Sequence, residues 1–220
     1  MTINLYNTDC MQALRDMPDN MYDLAIVDPP YGINVANKSN DLICMRPTAG
    51  WKNPKLKTYT KKDWDTNRPS SDYFIELLRV SKKQVIWGGN YFSDLLPASG
   101  GWFVWDKDVS LPTFSQGELA WTNTRKSVDI VKLTWSGYRK CEQVDRIHPT
   151  QKPVRLYEWI LDRYAKQGDR ILDTHLGSGS IAVACHNTGH SLDAYEIDAE
   201  YFAAASARLH EHQRQIKLFT

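Results

Sequence analysis

Short apolar runs alternate along this chain with longer segments whose apolar residues recur at helical spacing. The apolar run 22–27 ends at Asp28, and Pro29 and Pro30 then prevent a strand or helix from continuing. Further strands are predicted at 84–87, 170–172 and 192–195, and helices from about 69, over 154–167 with Gly168 as C-cap, over 180–187 closed by Gly189, and over 199–217. This alternation predicts an α/β fold, with a mostly parallel sheet covered by helices on both faces.

Strand-like segments also follow one another, without long helices between them, in the middle of the chain. They cover residues 102–105, 118–122 and 130–134, and this succession predicts antiparallel pairing at one edge of the sheet. Parallel sheets bind ligands at the carboxyl ends of their strands, so the acids that end three predicted strands are candidate site residues. These acids are Asp28, Asp173 and Glu196.

The composition of the 220 residues is typical of a globular protein, with 42% hydrophobic and 24% charged residues. One domain over 1–220 is expected at this length. No apolar run is long enough to span a bilayer and the N-terminus lacks a secretion signal, so we expect a cytoplasmic protein without a membrane partner. The four cysteines lack the spacing of a zinc site, and no metal is expected.

A glycine-rich turn separates the predicted strand 170–172 from the following helix. Gly177 and Gly179 lie in this turn, where missing side chains let a ligand approach the backbone. Glu196 follows Gly177 at the end of the next strand, at the spacing that brings an acid to the ribose hydroxyls of a nucleoside. The absence of a Lys-Ser or Lys-Thr pair disfavours a triphosphate loop, but the turn alone leaves a pyrophosphate cofactor open.

The tetrapeptide 28–31 combines three groups that suit a flat ring bearing an amine. Asp28 offers a carboxylate, Pro29 a carbonyl of fixed direction and Tyr31 an aromatic face, while Pro30 stiffens the turn. An exocyclic amine is a poor nucleophile because its lone pair is delocalised into the ring. Two acceptors that pull its N–H bonds out of plane would localise that electron pair, so these four residues are the predicted catalytic residues.

Together with the segment 148–153, the tetrapeptide and the glycine turn resemble the amino-methyltransferases of DNA, in the motif order of the circularly permuted beta group. The resemblance spans nearly the whole chain and implies a Rossmann-like, S-adenosylmethionine-dependent enzyme. It implies direct methyl transfer to N6 of an adenine flipped out of double-stranded DNA, because the aspartate form of the tetrapeptide is associated mainly with adenine. DNA cytosine-N4 methylation is the alternative, followed by a catalytically inactive nucleic-acid-binding relative and by methyl transfer to RNA or a protein glutamine.

The same resemblance assigns the cofactor contacts. Asp9 would accept from the adenine amine of the cofactor and Asp173 would face its methionine amino group. His175 stands where the family usually has a phenylalanine, and its ring can stack. The remaining expected cofactor residues are Asp28, Thr150, Lys152, Pro153, Gly177, Ser178, Gly179, Glu196 and Ile197.

Two groups of basic residues are the predicted DNA contacts, although the net charge of the chain is only +1. The first lies in an insertion at about 32–69, interleaved with Trp51, Tyr59 and Trp64, and a solvated loop is its alternative. The second lies in a short region at about 123–147, where the family recognises its target. The predicted DNA-binding residues are Arg46, Lys52, Lys55, Lys57, Lys61, Lys62, Arg139 and Lys140.

A short recognition region leaves few side chains to read base edges. It predicts a brief target sequence, relaxed specificity, or recognition shared across a homodimer. Double-stranded DNA, a second copy of the chain and a cognate restriction enzyme are therefore the partners considered.

Overall fold

A single sheet of eight strands forms the centre of the part of the chain that the computed structural model describes, residues 1–34, 62–109, 115–135, 141–142 and 146–215. The strand order is β1-β8-β7-β2-β3-β5-β4-β6. The strands are β1 (Ile3–Tyr6), β2 (Leu24–Val27), β3 (Gln84–Trp87), β4 (Trp102–Asp106), β5 (Gly117–Thr122), β6 (Val128–Lys132), β7 (Arg170–Asp173) and β8 (Ser191–Tyr195).

Helices cover both faces of this sheet, as the sequence predicts. They are α1 (Cys10–Asp16), α2 (Ser71–Val80), α3 (Val154–Tyr164), α4 (Ser180–Thr188) and α5 (Ala199–Arg214). Leu24 and Ile26 pack in a core cluster with residues of α3, α4 and α5, whereas Ala25 and Val27 pack in a second cluster with residues of α1 and α2. Because successive side chains of a strand point to opposite faces, this division explains why all four residues of β2 are buried.

The pairing of the strands confirms a mostly parallel sheet with antiparallel pairing towards one edge. Strands β1, β8, β7, β2 and β3 are parallel neighbours, and β5 runs antiparallel to both β3 and β4. The outermost strand, β6, is parallel to β4. It begins at Val128, two residues before the strand predicted from the sequence.

The ends of the helices follow local sequence in part. Gly189 caps α4 with a φ of 78°, as predicted. The helix α3 ends at Tyr164, so Gly168 is not its cap; with a φ of 92° it lies instead in the turn that leads to β7. The pattern of the sequence did not predict β1 or α1. The N-cap of α1 is Asp9, whose side chain accepts a hydrogen bond from the backbone N–H of Met11.

The strand order determines where the candidate acids lie. Asp173 ends β7, while Glu196 and Asp28 directly follow β8 and β2, and these three strands are parallel neighbours. Their carboxyl ends therefore meet at one edge of the sheet, as expected from the sequence. Of the helices in the described ranges, none is long and apolar enough to cross a membrane.

Candidate active site

Two adjoining cavities open at the carboxyl ends of the parallel strands. The first has a volume of about 230 Å³ and lies over the ends of β1, β8, β7 and β2. The second has a volume of about 350 Å³ and lies beside β2, β3 and β5. The residues that line both cavities are Asp28, Pro30, Trp64, Thr150 and Lys152. The tetrapeptide thus stands at the boundary between two spaces that can each hold a ligand.

Most of the predicted cofactor residues line the first cavity. These residues are Asp9, Asp28, Thr150, Lys152, His175, Gly177, Ser178, Glu196 and Ile197. Three others lie behind its wall. Pro153 is the N-cap of α3, Asp173 is only 3% exposed, and Gly179 lies so close to Ala205 of α5 that an added Cβ would approach the alanine Cβ to 3.0 Å.

The carboxylate of Glu196 holds the glycine turn in place. One oxygen accepts the backbone N–H of Gly177 at 2.8 Å and the other accepts that of Asp198 at 2.9 Å. Gly177 has a φ of 52°, a left-handed conformation that favours glycine. Burial raises the pKa of Glu196. The structure therefore brings together the glycine and the acid that the spacing in the sequence pairs.

Two buried groups beside this turn have strongly displaced pKa values. Burial, reinforced by the charges of Asp28 and Glu196, raises the pKa of Asp173 to about 8, although the carboxylate accepts the backbone N–H of His175 at 3.0 Å. Burial also lowers the pKa of His175 to about 4. The neutral His175 ring packs edge-on against Tyr73, with ring centroids 5.4 Å apart. It occupies the position that the resemblance assigns to an aromatic ring.

An aromatic cluster forms one wall of the first cavity. The ring of His148 lies 5.1 Å from that of Trp64 and 4.3 Å from that of Tyr201. Burial lowers the pKa of His148 to about 3, so this imidazole is neutral at physiological pH. From the sequence, Tyr201 had no predicted role here, and Trp64 was expected only as a surface for nucleic acid.

Lys62 contacts this wall and pairs with acids of the protein itself. Its ammonium lies 2.5 Å from Asp198 and 2.7 Å from Glu200, and 4.4 Å from the centroid of the Tyr201 ring. These contacts join the end of the basic insertion to the start of α5. The other predicted DNA-binding residues lie outside the described residues; they are Arg46, Lys52, Lys55, Lys57, Lys61, Arg139 and Lys140.

The tetrapeptide lines the second cavity with all four of its residues. The Tyr31 hydroxyl donates to one carboxylate oxygen of Asp28 at 2.7 Å, and the Lys152 ammonium lies 2.5 Å from the other. The ring of Tyr31 stacks on that of Tyr91, with centroids 5.0 Å apart. Both acceptor oxygens of Asp28 are therefore engaged in this structure.

Asp65 fixes the backbone of the same turn. Its carboxylate accepts the N–H groups of Tyr31 at 2.8 Å and of Gly32 at 3.0 Å, and the residue is 1% exposed. A buried carboxylate that accepts two backbone N–H groups resists displacement, because moving it would leave polar groups unsatisfied. The sequence offers one weak signal for Asp65, an acid that follows Trp64 at the end of the basic insertion.

Lys152 is buried between two carboxylates. Its side chain is 3% exposed and lies against Asp28 and against Glu118, at 3.1 Å from the latter. Burial opposes the charged form of Lys152, but the two carboxylates outweigh it and raise the pKa of the ammonium. Glu118 was not among the residues predicted for the site, because in the sequence it is only a polar residue at the start of a strand.

Comparison with known proteins supports the methyltransferase resemblance. The sequence profile of a family described as DNA methylase, with N6 and N4 in its name, matches residues 82–207, more than half of the chain. The type II methyltransferase M.HpaI of Haemophilus parainfluenzae is 24% identical over 251 residues, which cover 95% of this chain and 74% of that protein.

Solved structures of similar fold cover nearly the whole chain. The M1.HpyAVI–SAM complex superposes with a TM-score of 0.59 at 19% identity, covering 94% of this chain and 99% of that one. The PvuII DNA methyltransferase, described as cytosine-N4-specific, has a TM-score of 0.61 at 13% identity, with coverages of 100% and 89%. At these identities the similarity concerns the fold, and it confirms the predicted α/β architecture.

Proposed function

Since this chain belongs to the N6/N4 DNA methylase family, we propose that it transfers a methyl group from S-adenosylmethionine to N6 of adenine in double-stranded DNA. One observation carries the proposal. Asp28 stands at the boundary of two cavities, one bordered by a glycine turn with its partner acid and the other by the whole tetrapeptide. Methyl transfer requires a donor and an acceptor on either side of one catalytic group, and this arrangement supplies both spaces.

S-adenosylmethionine is the methyl donor and occupies the first cavity, where it supplies an electrophilic methyl group on a sulfonium. The lining residues fit such a molecule, because they combine acids, glycine backbone and an apolar side chain. Glu196 and Ile197 border its nucleoside part and Asp9 accepts from its adenine amine. Asp173 would stabilise the positive methionine amino group in its ionised form, which that nearby positive charge favours by lowering the raised pKa of Asp173.

The target base occupies the second cavity. Its amine is inaccessible within a duplex, so the nucleotide must leave the base stack. The Asp28 carboxylate and the Pro29 carbonyl accept hydrogen bonds from the two N–H groups of the amine and so localise its lone pair on nitrogen. The lone pair would form the new bond to the methyl carbon while the carbon–sulfur bonding pair returns to sulfur, which leaves a thioether. The amine would then lose one proton to the Asp28 carboxylate, which passes it to solvent.

The aromatic face of Tyr31 supports the flipped base. In the present structure its ring stacks on Tyr91 and its hydroxyl donates to Asp28. The Lys152 ammonium contacts the other oxygen of Asp28, so the amine of the base shares the Asp28 carboxylate with these two partners or replaces one of them. The preference for adenine rests on the aspartate that begins the tetrapeptide, since the family's serine form is associated mainly with cytosine N4.

Duplex DNA binds through the basic insertion and the short region 123–147. The ammonium and guanidinium groups of these segments attract phosphates, and their aromatic residues provide stacking surfaces. A second copy of the chain and a cognate restriction enzyme are the further proposed partners, and the cytoplasm is the proposed location.

Replacement of Asp28 by alanine tests the assignment. We expect Asp28→Ala to lower kcat for transfer of labelled methyl groups to duplex DNA by roughly 100- to 1,000-fold, because the variant has only one of the two amine acceptors. The dissociation constant for S-adenosylmethionine, measured by calorimetry, should stay within about threefold. Asp16→Ala, an exposed residue of α1, serves as the control. Wild-type turnover by Asp28→Ala would refute the role of this carboxylate.

A further inference from the structure

A chain of alternating charges leads from β4 to the catalytic turn. The Lys107 ammonium lies 2.5 Å from one oxygen of Glu118, and the other oxygen of Glu118 lies 3.1 Å from the Lys152 ammonium. Lys152 in turn lies 2.5 Å from Asp28. From this geometry we infer that Glu118 is a positioning residue, which acts on Asp28 through Lys152. The inference rests on the proposed function, because Asp28 is the acceptor for the amine.

Burial makes the charge of Lys152 dependent on its partners. An ammonium that is 3% exposed loses solvation, which favours its neutral form. Its ring contacts, with Trp87 at 4.9 Å and Tyr31 at 5.9 Å from the centroids, compensate only partly. Two carboxylates supply the rest of the stabilisation. Removal of either one leaves a buried cation with a single counter-ion.

Glu118 is suited to remain ionised in this position. Burial would raise the pKa of Glu118, but the charges of Lys152 and Lys107 lower it to about 2. The carboxylate also lines the second cavity, next to the proposed base. Glu118 can therefore hold Lys152 at every physiological pH.

The need for a second carboxylate follows from the engagement of Asp28. Tyr31 and Lys152 each contact one of its two oxygens, so both compete with an incoming amine for the negative charge of the carboxylate. Lys152 can yield its oxygen without becoming an unpaired buried cation, because Glu118 already contacts it. Without Glu118, the ammonium would keep Asp28 as its only counter-ion and compete with the substrate amine.

The groups that face Lys152 come from several elements. Against the effect of burial, Asp28 after β2 and Glu118 of β5 raise the pKa of Lys152. Burial raises the pKa of Asp173 of β7 and lowers that of His148, and the charge of Lys152 in turn acts to lower both. Lys107 lies on the far side of Glu118. Glu118→Gln removes one negative charge from this set and preserves the shape of the side chain. The pKa of Lys152 then falls, because an opposite charge that favours its protonated form is gone.

The test compares pH–rate profiles of methyl transfer to duplex DNA for the wild type, Glu118→Gln, Glu118→Asp and Lys152→Met. We expect Glu118→Gln to lower kcat roughly tenfold. Because Lys152 positions Asp28 only in its charged form, the lower pKa of Lys152 in this variant should also shift the alkaline limb of the profile to lower pH. Glu118→Asp, which keeps the charge, should restore part of the rate. The dissociation constant of Glu118→Gln for S-adenosylmethionine should equal that of the wild type. Glu211 is an exposed residue of α5, and the control variant Glu211→Gln should resemble the wild type.

A double-mutant cycle shows whether Glu118 acts through Lys152. If it does, Glu118→Gln has little further effect on kcat in a Lys152→Met background, because the intermediary is already absent. Rate effects that multiply, or a profile with an unshifted alkaline limb, would overturn the inference and assign Glu118 a merely structural role. If Glu118→Gln does not fold, Glu118→Asp provides the same comparison, with a smaller shift of the alkaline limb to lower pH.

The same assay distinguishes the positioning role from the proposed function. A wild-type enzyme that methylates DNA, together with a Glu118→Gln variant of equal rate and profile, overturns the positioning role and leaves the proposed function intact. A wild-type enzyme that transfers no methyl group to DNA overturns the proposed function, and the positioning role with it.

Discussion

Asp28 receives its partners from distant parts of the chain. Tyr31 is three residues away, but Lys152 is 124 residues away in sequence, and Asp65 fixes the turn from the end of the basic insertion. If Asp28 is the catalytic carboxylate, as proposed, its activity should be sensitive to changes in residues that never touch the substrate. Substitution of Asp65 makes this sensitivity measurable.

Asp65→Ala removes the carboxylate oxygen that accepts the backbone N–H groups of both Tyr31 and Gly32. The turn loses its anchor, and two partly buried N–H donors are left without this partner. We expect a decrease of about 1–3 kcal/mol in the free energy of unfolding and a fall in kcat of up to about 100-fold, since small displacements of catalytic groups are costly. Urea unfolding and the labelled-methyl assay measure the two effects.

Asp63→Ala is the matched control for this variant. Asp63 is exposed and lies two residues away in the same segment, where its backbone carbonyl accepts from Thr66. Its side chain should therefore be dispensable for activity. Equal activities of Asp65→Ala and Asp63→Ala would contradict a positioning role for Asp65.

Asp173→Asn should change how stability depends on pH. The pKa of Asp173 rises from 3.8 to about 8 on folding, mainly through burial. A raised pKa contributes to the free energy of unfolding, and this contribution is fully present below about pH 4 and is lost as the pH rises through about 8. We therefore expect the apo variant to be more stable than the wild type at pH 8, by on the order of 2 kcal/mol, with a smaller difference at pH 5.

Urea denaturation at pH 5 and pH 8 measures this difference directly. Comparing variant with wild type removes the contributions of His148 and His175, which titrate in both proteins. Asp162→Asn, an exposed residue of α3, should show no change in the difference between the two pH values. A variant of Asp173 whose stability relative to wild type is the same at both pH values would contradict the raised pKa.

Among the elements around the site, the turn after β3 supports the tetrapeptide. Gly88 has a φ of 68°, and a Cβ added to it would lie 2.2 Å from the ring of Tyr31. We expect Gly88→Ala to push this ring off Tyr91 and to lower kcat/KM for DNA roughly 100-fold. Binding of S-adenosylmethionine, measured by calorimetry, should be retained, because Gly88 lines only the second cavity.

Gly168→Ala separates this steric effect from backbone strain. Gly168 also has a left-handed conformation, with a φ of 92°, but a Cβ added to it would meet nothing within 4 Å. This variant should be less stable by about 1 kcal/mol and keep its methyltransferase activity. If Gly88→Ala and Gly168→Ala had equal activity, contact between Gly88 and Tyr31 would not matter for function.

Elements with strong local patterns could be predicted from the sequence. The apolar run of β2 is continuous and two prolines follow it, so its end at Asp28 was evident. By contrast, β1 has four residues and is stabilised by pairing with β8, where Ile3 lies opposite Leu192. Such a strand depends on partners that are remote in sequence, and no local pattern indicates it.

The site was predictable to the same extent. Asp28, Asp173 and Glu196 follow strands with clear patterns, and their convergence follows from parallel pairing. Asp65 and Glu118 were not predictable, because each owes its position to contacts that only the folded chain creates. The charge of Lys152 likewise depends on two carboxylates that the sequence keeps far apart.

Across the whole molecule, the nearly neutral net charge of +1 conceals a basic insertion at about 32–69. We expect replacement of Arg46, Lys52, Lys55, Lys57 and Lys61 by alanine to weaken DNA binding. The slope of log K against log salt concentration should become shallower by about 0.9 for each phosphate that the variant no longer neutralises. Fluorescence anisotropy with labelled duplex DNA at several salt concentrations measures both quantities.

Lys82 and Lys166 provide the control for this substitution. Both are exposed and precede β3 and β7, at the end of the sheet opposite the two cavities. Their replacement by alanine should leave the salt dependence unchanged. If the alanine substitutions in the basic insertion changed neither the affinity for DNA nor the salt slope, DNA would bind elsewhere on the molecule.

The identity of the methylated nucleoside is the decisive measurement for the proposed activity. The wild-type protein is incubated with duplex DNA and S-adenosylmethionine carrying a labelled methyl group, and the DNA is then digested to nucleosides and analysed by mass spectrometry. We predict the label in N6-methyldeoxyadenosine, with almost none in a parallel reaction of Asp28→Ala. Label in N4-methyldeoxycytidine, or DNA that stays unlabelled while RNA or protein is methylated, would contradict the proposal.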